Sequence, residues 1–374
     1  MCIESCCNMG KGKKVLLDLE RMRYPNSGIA NVFRNLAIGL NEIEKPINLE
    51  VSLFGPKNTL ESIKTNFSIV NRKAFHKFFP FYSTKFDLLH TSHQLSAFFH
   101  SKKRGQKKIV TLHDLNFLHE NLSAKKRDKM LSKVKNNIEN ADVIVCISDF
   151  TKRNLLQNKS LFNYESTPEI IVIHNGMQFP VLKMFPLENF NFLEGKKYIL
   201  NIGVLFPKKN QLLLVKMLPF IEDDLVLVAS GEKEQYKNEI LAEIERLGVK
   251  DRVHFLSNIS ENEKWSLIQN CVSMCHPSLA EGFGIPPIEA MYMGKPVFIS
   301  DKTSLPEIGG SCANYFRSFE TEEMIGVYKK GMEFYQSNKE SASKDLKNRA
   351  LSFDYLAMAK KYAEVYDKLG EKVN

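Results

Sequence analysis

The chain has 374 residues, of which 43% are hydrophobic and 25% charged, the balance of an ordinary globular protein of about two domains. That composition excludes wholesale disorder, collagen-like repeats and a small disulfide-packed fold. The formal charge is +9, and no stretch approaches the ~18 uncharged apolar residues of a membrane-spanning helix.

The N-terminus, MCIESCCNMGKGKK, has no apolar core of signal-peptide length, so the expected compartment is the cytosol. Its Cys2, Cys6 and Cys7 lack downstream ligands at zinc spacing and are read, with the other four cysteines, as free thiols. Residues 14–19 (KVLLDL) form a short apolar strand. Residues 27–40 follow as a helix, opened by Ser27 and Gly28, with Val32, Leu36, Ile38 and Leu40 on its apolar face. Strands are expected at 49–54, 86–90 and 108–112. Then come a strongly basic helix at 123–140, a strand at 142–147, a helix at 149–157 and a strand at 169–173.

Residues 175–197 mix Gly176, Pro180, Pro186 and Gly195 with no periodicity and read as a linker. Beyond it the alternation restarts. Strands are expected at 198–203, 225–229, 252–256, 272–276 and 296–300. Helices are expected at 211–218, 234–247 (stopped by Gly248), 261–270 and 287–293, with a mostly helical remainder. Two such runs imply an α/β protein of two Rossmann-like, doubly wound parallel-sheet domains facing across a cleft. The expected domains are residues 1–190 and 191–352. Sheets of this kind bind ligands at the carboxyl ends of their strands.

The charge is uneven. Residues 1–190 carry a net +11 and the rest −2. A basic half suits an anionic membrane, a nucleic acid or a phosphorylated acceptor. The lysines gather in SKKRGQKK (101–108) and in 124–135, while 75–86 (FHKFFPFYSTKF) interleaves aromatics with lysine.

Residues 278–294, SLAEGFGIPPIEAMYMG, are the richest in chemistry. Glu281 and Glu289 bracket Gly282, Phe283, Gly284, Ile285 and two prolines. The pattern reads as a strand, a tight glycine loop and a helix N-terminus with Glu289 in its first turn. A helix N-terminus favours a phosphate. Glu281 can accept from sugar hydroxyls, and Glu289 from a ribose diol or, more simply, from the helix dipole. A second strand-to-helix loop, NIGVLFPKKN (201–210), holds Gly203 and brings Lys208 and Lys209 within reach of a diphosphate. In the first half, Gly28 opens a helix, and His113 with Asp114 follows a strand at the same kind of edge. Ser148 is a helix cap or a ligand contact, and Asn175–Gly176 a turn or a ligand loop. Cys271, Cys275 and His276 resemble half a metal site, although the cysteines read more simply as small hydrophobes in a strand.

In this order the motifs resemble those of the family 4 glycosyltransferases, retaining enzymes of the GT-B fold, from about Val15 to Leu369. The family's E-x7-E signature is matched by Glu281 and Glu289. PVFISDKTSLPEIGG (296–310), NIGVLFPKKN, VIHNG (172–176), CISDF (146–150), TLHDL (111–115) and SGIANVFRNL (27–36) match further family segments. The resemblance implies that Lys209, aided by Lys208 and Gly203, binds the donor diphosphate. Glu281 and residues 282–285 would hold the donor sugar, and Glu289 the ribose. His113, Gly28 and Asp114 would lie on the acceptor side, with His113, Lys209 and Glu281 the catalytic group. It also implies a last helix, 353–374, that crosses back to the first domain. Val204, Lys208, Ser257 and Tyr355 depart from residues common in the family.

The implied reaction moves a hexose from a nucleotide-diphosphate sugar to a glycan or lipid-linked hydroxyl with retention, as in lipopolysaccharide, O-antigen or capsule synthesis. No D-x-D occurs, so neither a metal nor another cofactor is expected. GDP-mannose is the donor suggested by P-x-K-N and by HDLNF (113–117), with UDP-sugars the alternative. The basic half suggests peripheral contact with an anionic membrane at its cytoplasmic face. Readings from other classes are a nucleic-acid- or anion-binding protein using that half, and an NAD-dependent oxidoreductase. The first lacks a recognised motif, and the second lacks a complete G-x-G-x-x-G. An epimerase or phosphorylase remains open on the same fold.

Overall fold

The computed structural model describes residues 12–24, 27–44, 49–118, 120 and 122–370, so Cys2, Cys6 and Cys7 lie outside the described residues. The chain forms two compact units, one of residues up to 178 with those from 354 onward, the other of residues 179–353. In the first, a parallel sheet has the order β3-β2-β1-β4-β5-β6-β7. Its strands are β1 (Lys13–Asp18), β2 (Leu49–Gly55), β3 (Ser68–Asn71), β4 (Leu88–Thr91), β5 (Lys107–Leu112), β6 (Val143–Cys146) and β7 (Glu169–Val172). The second has β8 (Tyr198–Leu205), β9 (Asp224–Glu232), β10 (Val253–Ser257), β11 (Ser273–His276), β12 (Val297–Ser300) and β13 (Asn314–Phe316). These pair in parallel in the order β10-β9-β8-β11-β12-β13.

Helices covering both faces explain the strand composition. In β9, Leu225, Val226, Leu227 and Val228 are all buried, although they alternate between faces. Each such side chain contributes ~1.5–3 kcal/mol of burial. The helix Gly28–Glu42 begins at Ser27, whose Oγ accepts from the Ala30 N–H at 3.3 Å. Ser148 caps the helix Asp149–Gln157 in the same way, through the Thr151 N–H at 3.1 Å.

Two strands are absent from the sequence reading, β3 and β13. Both are edge strands of three or four residues, half-exposed and without an apolar run. The division between units also falls earlier than residue 190. Residues 179–190 pack on the second unit, because Phe185 N–H donates to Gln269 (2.7 Å), Ser266 Oγ to the Pro186 carbonyl (2.6 Å) and Tyr292 OH to the Pro180 carbonyl (2.7 Å).

The last helix, Tyr355–Gly370, belongs to the first unit. It is tied to the sheet by a buried chain of hydrogen bonds. Tyr366 OH meets His90 Nδ1 at 2.7 Å, His90 Nε2 meets Thr111 Oγ1 at 2.8 Å, and Thr111 Oγ1 meets Tyr362 OH at 2.9 Å. Tyr355 reaches Glu42 at 2.5 Å through its hydroxyl. Met177 forms a parallel bridge with Asp354. The basic run 101–108 is partly structural rather than a free charged face. Lys102 and Lys107 pair with Asp142, and Lys108 is fully buried against Asn140. Burial pushes the Lys108 ammonium down to about 7.

Gly176 has a packing role. A Cβ there would lie 2.6 Å from Tyr355 Cα and 2.8 Å from Met358 Cβ, so only glycine lets the last helix approach so closely. Gly176→Ala is expected to lower unfolding stability by about 1–3 kcal/mol, measured by urea denaturation. A change within about 0.5 kcal/mol would contradict this packing role.

Candidate functional site

The strand order of the second unit reverses between β8 and β11, and ligands of doubly wound sheets bind at such a switch point. The loops leaving those two strands carry the sequence-derived donor residues. After β8, Pro207–Lys209 form one turn of 3-10 helix, and Asn210 (φ +61°) turns the chain into the helix Gln211–Met217. After β11, residues 277–284 form a loop that leads into the helix Ile285–Tyr292.

Glu281 joins the two loops. Its carboxylate takes the Lys209 ammonium and, at 2.5 Å, His276 Nε2. The pair is largely buried, with Lys209 15% and Glu281 11% exposed. Burial alone would raise the Glu281 carboxyl, but His276 and Lys209 hold it well below the usual carboxylate range. The site therefore presents a fixed anion beside a fixed cation. His276 Nδ1 is buried without a hydrogen-bond partner among the described residues. Of Cys271, Cys275 and His276, only the histidine enters the site. Both cysteines are buried, and burial raises both thiols, Cys271 to about 12.

The backbone around Glu281 is braced from both sides. The Lys208 carbonyl accepts from Leu279 N–H (2.7 Å) and Ser278 Oγ (3.2 Å). Thr303 Oγ1 accepts from Glu281 N–H (3.0 Å), and Ser304 Oγ donates to the Glu281 and Phe283 carbonyls at 3.2 and 2.8 Å. Thr303 holds φ +53°, a strained conformation for a β-branched residue. Phe283 is buried edge-on against Phe353. Gly284, at φ +125°, is the helix N-cap, and a Cβ there would lie 2.8 Å from Leu305 Cδ2. Gly203 lies within β8, two residues before its end and beside a register shift, with open space where its Cβ would be. Gly282, Ile285 and Lys208 are half-buried around the same loops.

Two sequence expectations change here. The helix starts at Ile285 rather than Pro287, which places Glu289 in its second turn. Pro286 and Pro287 then fill the first turn and remove two of its free N–H donors, leaving Gly284 and Ile285 to present theirs. Glu289 is also no dipole-complementing surface carboxylate. It is buried, and its Oε1 meets Lys264 Nζ at 2.6 Å. The same ammonium meets Glu261 at 2.6 Å. Burial pushes the Glu289 carboxyl up against the pull of Lys264. Burial also opposes the Lys264 charge, but Glu289 and Glu261 hold that ammonium above its ordinary range.

Sequence reasoning missed Lys264, His276, Thr303 and Ser304 as members of this constellation. His276 had one available signal, its place as the last residue of a strand five positions before Glu281. Nothing in the sequence marks Lys264, which reaches Glu289 from the helix Glu261–Asn270.

In the first unit the strand order reverses between β1 and β4. Gly28 opens the helix after β1, exposed at its first turn. His113, after β5, is buried, and its ring lies 5.3 Å from that of His93, which follows β4. His113 Nε2 lies 2.9 Å from the Ser92 carbonyl, so Nε2 carries the proton and Nδ1 is left as an acceptor. Asp114 turns its Oδ1 to the Asn116 N–H (3.0 Å) and its carbonyl to Gln94, a local turn. Asp18 is buried nearby, accepting from Glu20 N–H and Ser96 Oγ.

Residues 28–178 match the family model described as Glycosyltransferase Family 4, and residues 187–316 that of Glycosyl transferases group 1. The chain is 25% identical over 332 residues to O-antigen chain mannosyltransferase B of Escherichia coli, spanning 79% of this chain and 84% of that protein. It is 35% identical over 108 residues to O-antigen chain mannosyltransferase RfbU of Salmonella typhimurium, 29% of this chain and 31% of the relative. The fold resembles that of Anabaena Alr3699/HepE in complex with UDP-glucose. The TM-score is 0.72 at 20% identity, over 95% of this chain and 99% of that one. The chain thus belongs to the family 4 glycosyltransferases of the GT-B fold.

The histidine cluster gives a pH prediction. Burial lowers His90 to about 3, His113 to about 4 and His93 well below its ordinary value. Each takes a proton on unfolding below pH ~6.5. Asp18, lifted by burial to about 6, works the other way and releases one. Near pH 5 unfolding therefore takes up about two protons net from this cluster, and stability falls by about 3 kcal/mol per pH unit of acidification. Urea unfolding between pH 6.5 and 4 checks this. Flat stability over that range would contradict it.

Proposed function

We propose that the chain transfers mannose from GDP-mannose to a hydroxyl of a glycan or lipid-linked acceptor, with retention and without a metal. It would act at the cytoplasmic face of a membrane, in lipopolysaccharide, O-antigen or capsule synthesis. The observation that carries this reading is the Glu281 carboxylate held between Lys209 and His276 at the second sheet's switch point. The mannose assignment draws support from relatives named as O-antigen chain mannosyltransferases.

In this reading the donor diphosphate takes over the Lys209 ammonium, with Lys208 beside it and the Gly284 and Ile285 N–H groups at the helix N-terminus. Glu281 stays ionised at every working pH and turns to the donor sugar's hydroxyls, with the Gly282–Gly284 backbone alongside. Glu289 keeps Lys264 on Oε1 and offers Oε2 to the ribose. Lysine and backbone donors stabilise the charge developing on the leaving diphosphate, which is the work a metal would otherwise do. The departing phosphate accepts the acceptor's proton as the new bond forms on the same face, so configuration is kept. His113, neutral at pH 7 with only Nδ1 open, suits a hydroxyl donor and not a phosphate, which would itself accept. It would therefore orient a sugar hydroxyl, with Gly28 and Asp114 on the acceptor side.

Thermal denaturation with GDP, UDP, ADP, CMP and NAD, each with magnesium and with EDTA, tests the donor assignment. GDP is expected to raise the melting temperature by several degrees, equally in both conditions. Slow hydrolysis of GDP-mannose should release the α anomer first, read by NMR. No shift with any nucleotide, a shift with NAD alone, or release of the β anomer would overturn the reading.

A further inference from the structure

Residues 72–86, RKAFHKFFPFYSTKF, contain no carboxylate. They fold into two turns of 3-10 helix, Ala74–Lys77 and Pro80–Ser83. Four phenylalanines there face outward, with Phe75 51%, Phe78 78%, Phe79 55% and Phe81 77% exposed. Single exposed apolar residues are unremarkable, but four large ones within seven positions form a contiguous patch of the kind that marks an interaction site. Lys73, Lys77 and Lys85 are exposed within the same segment.

The base of the segment is firmly held, so the patch is a presented surface and not a frayed loop. His76 stacks on Tyr82 at 4.2 Å, and Tyr82 stacks on the buried Phe54 at 4.9 Å. Gln106 Nε2 donates to the Ser83 and Phe86 carbonyls at 2.9 and 2.8 Å, and Lys103 donates to the Thr84 carbonyl. The outward rings therefore do not fold back into the core.

We propose that residues 73–85 are a membrane-docking platform, with Phe78 and Phe81 entering the interface of an anionic bilayer and Lys73, Lys77 and Lys85 meeting its head groups. A bilayer fits this surface because four large exposed rings share a segment whose charged side chains are all cationic. Aromatic rings favour the lipid–water interface, and lysines near it gain from anionic lipid. A second copy of the same all-cationic segment would repel it. This deepens the lipid-linked-acceptor reading above and rests on it for its purpose, though not for its geometry.

Co-sedimentation with vesicles of phosphatidylcholine containing 30% phosphatidylglycerol tests the proposal, with pure phosphatidylcholine for comparison. The wild-type chain should bind the anionic vesicles far more tightly. Phe78→Ser/Phe81→Ser should weaken binding at least ~10-fold. The triple change K73E, K77E, K85E should weaken binding to anionic vesicles on the order of 100-fold. Trp265 is the chain's one tryptophan and is buried, so Phe81→Trp supplies a reporter whose emission should shift to the blue with anionic vesicles. All variants change exposed side chains, and the GDP-induced melting shift is expected to remain in each. That shift separates failure of docking from failure of the donor assignment. Wild-type binding by the serine variant, no blue shift, or a concentration-dependent dimer lost in that variant would overturn the proposal.

Discussion

A buried carboxylate gripped by two nitrogen donors is costly to assemble, and the second unit is built around one. Taking Glu281 and Lys209 out of water costs several kcal/mol per ion, recovered only with good geometry and further hydrogen bonds. The structure supplies both. Lys209 arrives on a turn fixed by the left-handed Asn210, His276 arrives as the last residue of a strand, and Thr303 and Ser304 fix the backbone that carries Glu281. Each support comes from a loop at the carboxyl ends of adjacent strands, so the parallel sheet is what brings them together.

The sequence was informative where periodicity and loop chemistry coincide. Central strands such as β9 are continuous apolar runs, and their helices carry recognisable starts and stops, as with Ser27 and Gly248. Glu281, Gly284 and Lys209 were legible because unusual residues fall just after strands. The edge strands β3 and β13 were not, because half-exposed short strands have no apolar signature. Lys264 was hidden as a site member, and His276 was marked only by its place at a strand's end. Their roles depend on pairings 25 and 5 positions away, which tertiary packing creates. The pairing of the lysines of 101–108 was not legible either. Asp142 and Asn140 draw three of them into the unit's own structure.

The first unit accepts a different cost. It buries Asp18, His90, His93 and His113, and burial keeps the three histidines neutral at pH 7 while lifting the Asp18 carboxyl to about 6. His90 is explained structurally, because it links two tyrosines of the last helix to the sheet. His113 is not used that way. Its fixed tautomer leaves one acceptor, a specific and modest tool suited to orienting a hydroxyl. The two candidate sites thus differ in chemistry, with a buried ion pair at Glu281 and Lys209 in one unit and a neutral histidine acceptor at His113 in the other. That division suits a reaction in which one substrate carries a diphosphate and the other a hydroxyl.

The proposed donor site requires Lys209 to recognise a diphosphate beside Glu281. Titration calorimetry of GDP and GMP against the wild-type chain and Lys209→Met tests it most directly. The wild type is expected to prefer GDP to GMP by at least ~10-fold, with the preference collapsing in the variant while GMP affinity changes little. Equal affinities in the wild type, or an undiminished preference in Lys209→Met, would contradict it.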